Sequence, residues 1–205
     1  HFWFDARNRL ICWILEKYFS AHSTFLEVGC GTGYVLKGIG KRFPHYRLFG
    51  SEFYIEGLMS ARARLPNVAF CQSDARRLPF KESFEVIGAF DVLEHIEEDE
   101  EVLAEIYNAL VPGGGVILTV PQHMFLWGHM DVLSFHKRRY SRLELVRKAQ
   151  KANFEVKYVT SFVTLLLPLL WLSRRLKMKS TDIMEEFRIG KLNNFCLTLV
   201  LMLEF

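Results

Sequence analysis

The apolar positions of this chain follow two alternating rhythms. Short runs of strand type occur at Phe25–Val28, Tyr46–Phe53, Val68–Gln72, Phe84–Val92, Val116–Val120 and Glu155–Thr160. Between them, apolar residues recur at helical spacing, and each such stretch predicts a helix. These helices are Gly33–Phe43, Ile55–Arg64, a segment opened by the acidic run Glu97–Glu101 and carried by Val102, Leu103, Ile106, Ala109 and Leu110, and Ser141–Ala152. An acidic run favours a helix start because the helix dipole is positive there. Ser141 and Glu144 form a capping-box pattern. His1–Ser20 predicts a further amphipathic helix, with Leu10, Ile11, Ile14, Leu15 and Tyr18 on one face. It serves either as a cover for a sheet edge or, through Phe2-Trp3-Phe4 and Arg7 or Arg9, as a closure over a ligand mouth. Regular strand–helix alternation implies right-handed crossovers and an α/β fold with a doubly wound, mainly parallel sheet and helices on both faces.

The sharpest local signal lies between the first strand and its helix. Glycines occupy alternate positions in Glu27-Val28-Gly29-Cys30-Gly31-Thr32-Gly33. A strand running into a glycine turn and then a helix start is where open α/β sheets bind ligands. A dinucleotide fingerprint needs glycines at G-x-G-x-x-G, but the third position is Tyr34 or Leu36 in the two possible registers. Glu27, a carboxylate at the strand end, would repel a pyrophosphate and suits an ammonium or sulfonium group. Glu52 closes the second strand 19 residues beyond Gly33, near the usual interval for an acid that takes ribose hydroxyls. Asp74 follows the third strand. It either accepts from an adenine amine, with the small Ala75 leaving room for the ring, or caps a turn. Asp91 and His95 follow the fourth strand, so the strands deliver polar groups to one sheet edge.

The connection His123–Tyr140 is long enough for a lid or binding loop. Its histidines match no helix-borne H-x-x-x-H set, so no metal site is expected; His95, His123 and His136 are candidate general bases. Pro112-Gly113-Gly114-Gly115 breaks the preceding helix.

Composition narrows the function classes. Half of the 205 residues are hydrophobic, enough for one α/β domain with an appendage. A net charge of +3 with mixed signs argues against a dedicated nucleic-acid surface. Cys12, Cys30, Cys71 and Cys196 form no C-x-x-C pair, which points to a reducing, cytoplasmic setting. No signal peptide is visible, and the start at His1 suggests a piece of a longer chain. The domain boundary falls at 160, with residues 161–205 as an apolar helical appendage. The run Phe162–Leu172, followed by Arg174, Arg175, Lys177 and Lys179, fits either a helix packed as a lid or dimer contact, or peripheral membrane contact through 162–179. It and the run Phe195–Leu203 are too short to span a bilayer.

Phe25–Gly33 resembles motif I of the class I S-adenosylmethionine-dependent methyltransferases. Phe90-Asp91-Val92-Leu93-Glu94-His95-Ile96 and Leu110-Val111-Pro112-Gly113-Gly114 resemble later stretches of the group that includes ubiquinone- and menaquinone-biosynthesis methyltransferases. The resemblance covers about residues 20–160. It implies a Rossmann-like sheet that binds S-adenosylmethionine and releases S-adenosylhomocysteine. It places Gly29, Cys30, Gly31 and Gly33 against the methionyl part, with Glu27 toward its amino end. It assigns Glu52 to the ribose, Phe53, Asp74 and Ala75 to the adenine, and Asp91, Val92 and His95 to the methyl-transfer side. The implied acceptor is a small molecule, with a hydrophobic one hinted at by the apolar tail. A non-catalytic cofactor-binding or scaffold protein is the alternative. An NAD(P)-dependent oxidoreductase shares the fold but is disfavoured by the glycine register.

Overall fold

A computed structural model describes residues 2–162 and 164–168. The chain opens with α1 (Phe2–Tyr18) and then alternates: β1 (Thr24–Val28), α2 (Tyr34–Arg42), β2 (Arg47–Glu52), α3 (Ile55–Arg64), β3 (Ala69–Gln72), β4 (Phe84–Phe90), α4 (Asp99–Ala109) and β5 (Leu110–Thr119). The short α5 (His129–Leu133) and α6 (Arg142–Lys151) follow. The five strands form one parallel sheet in the order β3-β2-β1-β4-β5. The strand order reverses between β1 and β4, so the crevice for a ligand opens beyond their carboxyl ends.

The period-2 alternation of β1 explains the two layers. Phe25 packs on one face with Ile11 and Leu15 of α1 and Val35, Leu36 and Ile39 of α2. Leu26 and Val28 pack on the other with Val102, Leu103 and Ile106 of α4. β4 repeats the pattern, with Val86 and Phe90 on the first face and Ile87 and Ala89 on the second. Helices therefore cover both faces, as the sequence pattern predicts.

Two expectations need correction. The Pro-Gly-Gly-Gly stretch is not a break before the fifth strand but lies inside β5. Leu110 pairs with Phe84 and Gly115 with Val86, so the residues between them bulge out, with Gly113 at a φ of 82°. The expected sixth strand, Glu155–Thr160, has no ladder partner among the described residues. Its one aromatic side chain, Tyr158, turns to α1 instead, with its ring 5.5 Å from Trp13; just beyond the segment, Phe162 lies 4.8 Å from Trp3. Of the predicted appendage, only a 3₁₀ turn at Thr164–Leu166 is described as a regular element; the remaining expectations for 169–205, including membrane contact, lie outside the described residues. Among the described residues no helix is long and apolar enough to cross a membrane.

Candidate functional site

The glycine turn is shaped by backbone conformation and close packing. Gly29, Gly31 and Gly33 have φ values of 67°, 50° and 72°, in the left-handed region that costs other residues energy. A Cβ on Gly29 would stand 2.6 Å from Val92 Cγ2, so β4's following loop packs directly on the turn. A Cβ on Gly31 would meet nothing within 4 Å. That face of the turn is open. Cys30 is buried beneath it, and burial pushes its thiol up.

Glu52 ties the turn to the end of β2. Its Oε2 accepts from the Gly31 amide at 2.7 Å and its Oε1 from the Tyr54 amide at 3.0 Å. Each carboxylate oxygen retains a further lone pair for a ligand hydroxyl. Phe53 beside it is 55 % exposed, a flat apolar surface at the mouth of the crevice. Asp74 takes the capping role: it accepts from the Arg76 amide at 2.9 Å and is gripped by the Arg76 guanidinium, which holds it below the usual carboxylate range. Ala75 packs against the apolar cluster behind it.

Glu27 is engaged with the protein itself. It is buried, and its Oε2 accepts from the Leu36 amide at 3.1 Å. Leu36 is the third residue of α2, and Gly33 at the cap position has no side chain to serve it. Glu27 therefore satisfies one of the orphan donors of the helix start from the sheet side. Burial pushes its carboxyl up to about 8, against the pull of Arg7.

At the end of β4, Asp91 adopts a φ of 56°, a strained conformation for a non-glycine residue. Its Oδ1 accepts from Thr119 Oγ1 at 3.0 Å, and its Oδ2 pairs with Arg7 of α1. Tyr34 also donates to Asp5 of α1 at 2.7 Å, while Leu10, Ile11 and Leu15 of the same helix enter the core. Thus α1 is both a sheet cover and a closure over the crevice, and Arg7 rather than Arg9 reaches the acid there.

The long connection after β5 is pinned at both ends of its base. Tyr140 N–H donates to Pro121 O, His123 N–H donates to Tyr140 O, and Lys137 N–H donates to Glu94 O at 2.7 Å. This last bond brings His136 beside His95, with ring centroids 4.8 Å apart. Asp131 sits 3.0 Å from His136 Nδ1 and accepts from Arg139 Nε at 2.8 Å. Burial would raise its carboxyl, but these bonds hold it well below the usual range. His123 points elsewhere, with its ring 5.0 Å from Phe125. The three histidines proposed as bases are therefore not one group. His95 and His136 adjoin, and His123 shares with His136 only the wall of a cleft of about 1820 Å³. Its lining includes the polar Asp91, Glu94 and Arg139 and the apolar Ile14, Leu118, Val120 and Leu145. Asp91 lines the cleft, whereas the glycines of the turn do not.

Residue-by-residue reading missed Glu94. It is fully buried, and neither of its oxygens has a hydrogen-bond partner. Burial, then the neighbouring Asp91, pushes its carboxyl up to about 9. The signal available was an acid within the apolar stretch Val92-Leu93-Glu94-His95-Ile96.

The chain is similar to known proteins. Residues 25–114 match the family model for a methyltransferase domain. A probable S-adenosylmethionine-dependent methyltransferase of Mycolicibacterium smegmatis is 29 % identical over 137 residues, covering 64 % of this chain and 51 % of that one. A trans-aconitate 2-methyltransferase of Methylobacterium radiotolerans is 31 % identical, covering 58 % and 46 %. An amino pentose methyltransferase, CalS10 from Micromonospora echinaspora, solved with S-adenosylmethionine bound, superposes with a TM-score of 0.51 at 27 % identity, covering 55 % and 48 %. The chain spans about half the length of the curated relatives it matches.

Proposed function

Starting from a chain that carries a class I S-adenosylmethionine-dependent methyltransferase domain, we propose that it transfers a methyl group from this cofactor to a small-molecule acceptor held in the cleft beyond Asp91. The observation that carries the reading is the glycine turn with three positive φ values, open over Gly31 and bridged to an acid at the end of β2. The residues present fit the cofactor. Glu52 offers both oxygens toward ribose hydroxyls, and exposed Phe53 offers a stacking face to adenine. Gly29, Cys30, Gly31 and Gly33 let the methionyl part approach the backbone, and Glu27 lies beneath its ammonium. Arg7 carries the charge to meet its carboxylate, and the adenine edge falls toward Asp74 and Ala75.

The cofactor supplies an already activated methyl group on a sulfonium. The protein's work is therefore positioning and the exclusion of water. Asp91 and Val92 set the distance between turn and cleft, and α1 closes the crevice through Arg7. His95, His123 and His136 are the bases available if the acceptor carries a proton. The apolar sides of the cleft support an acceptor with a hydrophobic body and a polar reacting end.

Calorimetry tests the reading. S-adenosylhomocysteine binds in the micromolar range, and NAD gives no heat. Absence of binding by S-adenosylhomocysteine overturns the proposal. Transfer of labelled methyl into a metabolite or lipid extract then separates an enzyme from a cofactor-binding scaffold.

A further inference from the structure

Glu94, His95 and His136 bring one ligand atom each to within 4.8 Å of one another; Glu94 and His136 line the cleft, and His95 is exposed beside them. They come from two segments 41 residues apart in sequence, the end of β4 and the loop after β5, so their spacing along the chain carries no metal signature. Glu94 has no solvent exposure and both its oxygens lack a donor. A buried carboxylate without a partner is costly. Arg7 and Arg139 act on it only through space and donate no hydrogen bond to it: Arg7 pairs with Asp91, and Arg139 donates to Asp131 and to Gln122 O.

One imidazole is already held from behind. Asp131 faces Nδ1 of His136, which leaves Nε2 for a ligand. His95 lies against the backbone of Ser134 and Phe135. A carboxylate or carbonyl on the far nitrogen is the arrangement that orients histidines toward a metal. The geometry points to a divalent transition-ion site of zinc type, held by Glu94, His95 and His136 with at least one position open to the cleft. Ligand atoms around such an ion stand about 3.3 Å apart, given bonds of about 2.0–2.1 Å. Rotamer adjustments of the two histidines cover the remaining distance.

The chemical use of the ion rests on the methyltransferase reading; its binding does not. An acceptor hydroxyl bound at the open position loses its proton to solvent more readily. Its oxygen then forms the new C–O bond as the C–S bond of the sulfonium breaks, and the neutral thioether leaves. The acceptor class is thus an oxygen nucleophile.

Chelator-treated protein titrated with Zn²⁺ by calorimetry, and with Co²⁺ by visible absorption, tests the site. One ion binds per chain, and Co²⁺ develops ligand-field bands of a nitrogen–oxygen site. Glu94→Gln, His95→Ala and His136→Ala each weaken binding at least about tenfold. His45→Ala, at an exposed position, leaves it unchanged. If Glu94→Gln fails to fold, the two histidine variants decide. No ion bound by the folded wild-type chain, or wild-type affinity in both histidine variants, overturns the proposal. S-adenosylhomocysteine binding is measured on the same samples. Ion binding without it leaves the metal site standing and removes the methyltransferase reading; cofactor binding without the ion does the reverse.

Discussion

Glu27 and Glu94 stand at the carboxyl ends of the neighbouring strands β1 and β4, and both are buried. Burial raises both carboxyls, Glu27 to about 8 and Glu94 to about 9. Their surroundings differ. Glu27 accepts from the Leu36 amide and completes a helix start, whereas Glu94 accepts from nothing. The contrast extends to the two halves of the crevice. On the glycine-turn side, Glu27, Glu52 and Asp74 are each engaged with backbone amides of nearby segments. That half is built before any ligand arrives and tolerates little change. On the β4 side, loops distant in sequence meet around a carboxyl left without a hydrogen-bond partner. A buried polar group with no partner is costly, and such exceptions mark sites that a ligand completes.

The most damaging way to probe the first half is Gly29→Val. A left-handed φ and a Cβ contact of 2.6 Å to Val92 both oppose the side chain. The expected loss is about 2–5 kcal/mol of stability, combining backbone and overpacking costs. Chemical denaturation measures it, and Val92→Ala in the same chain restores the packing share only. A near-neutral Gly29→Val would show that the turn is not preformed.

The pH dependence of stability separates the satisfied acid from the rest. The folded-state value for Glu27 lies above its ordinary one. Between the ordinary carboxylate range and about 8, the unfolded chain has released this proton while the folded chain keeps it. The folded state then binds more protons, so the Glu27 contribution to stability falls as the pH rises through that window, and Glu94 adds a like fall that runs on to about 9. Glu27→Gln makes this fall shallower in denaturation curves taken across the window, leaving the share of Glu94. An unchanged slope would mean that the carboxyl is ionised in place.

Glu52→Ala gives the smallest of the three effects on the turn side. It weakens S-adenosylhomocysteine binding by about 1–3 kcal/mol through lost charge-assisted hydrogen bonds. Calorimetry at constant pH measures it. Wild-type affinity would reduce Glu52 to a brace between Gly31 and Tyr54.

What could be read from the chain alone was whatever depends on neighbours in sequence. Strand and helix periodicity located β1, α2, β2, α3 and β4 to within a few residues, because each buries one face at its own repeat. The glycine turn was legible because its φ values follow from residue type over five positions. Glu52 was legible because a strand–helix–strand unit fixes the interval from turn to acid. Only the tertiary structure could show that Glu27 caps α2, that Arg7 rather than Arg9 reaches Asp91, and that Arg76 occupies Asp74. It alone could separate His123 from His136, and turn the expected sixth strand toward α1. The grouping of Glu94, His95 and His136 depends on where Lys137 anchors the long loop to the end of β4. A contact across some 40 residues leaves no periodicity to read, and a buried carboxyl without a partner becomes visible only once its neighbours have been placed.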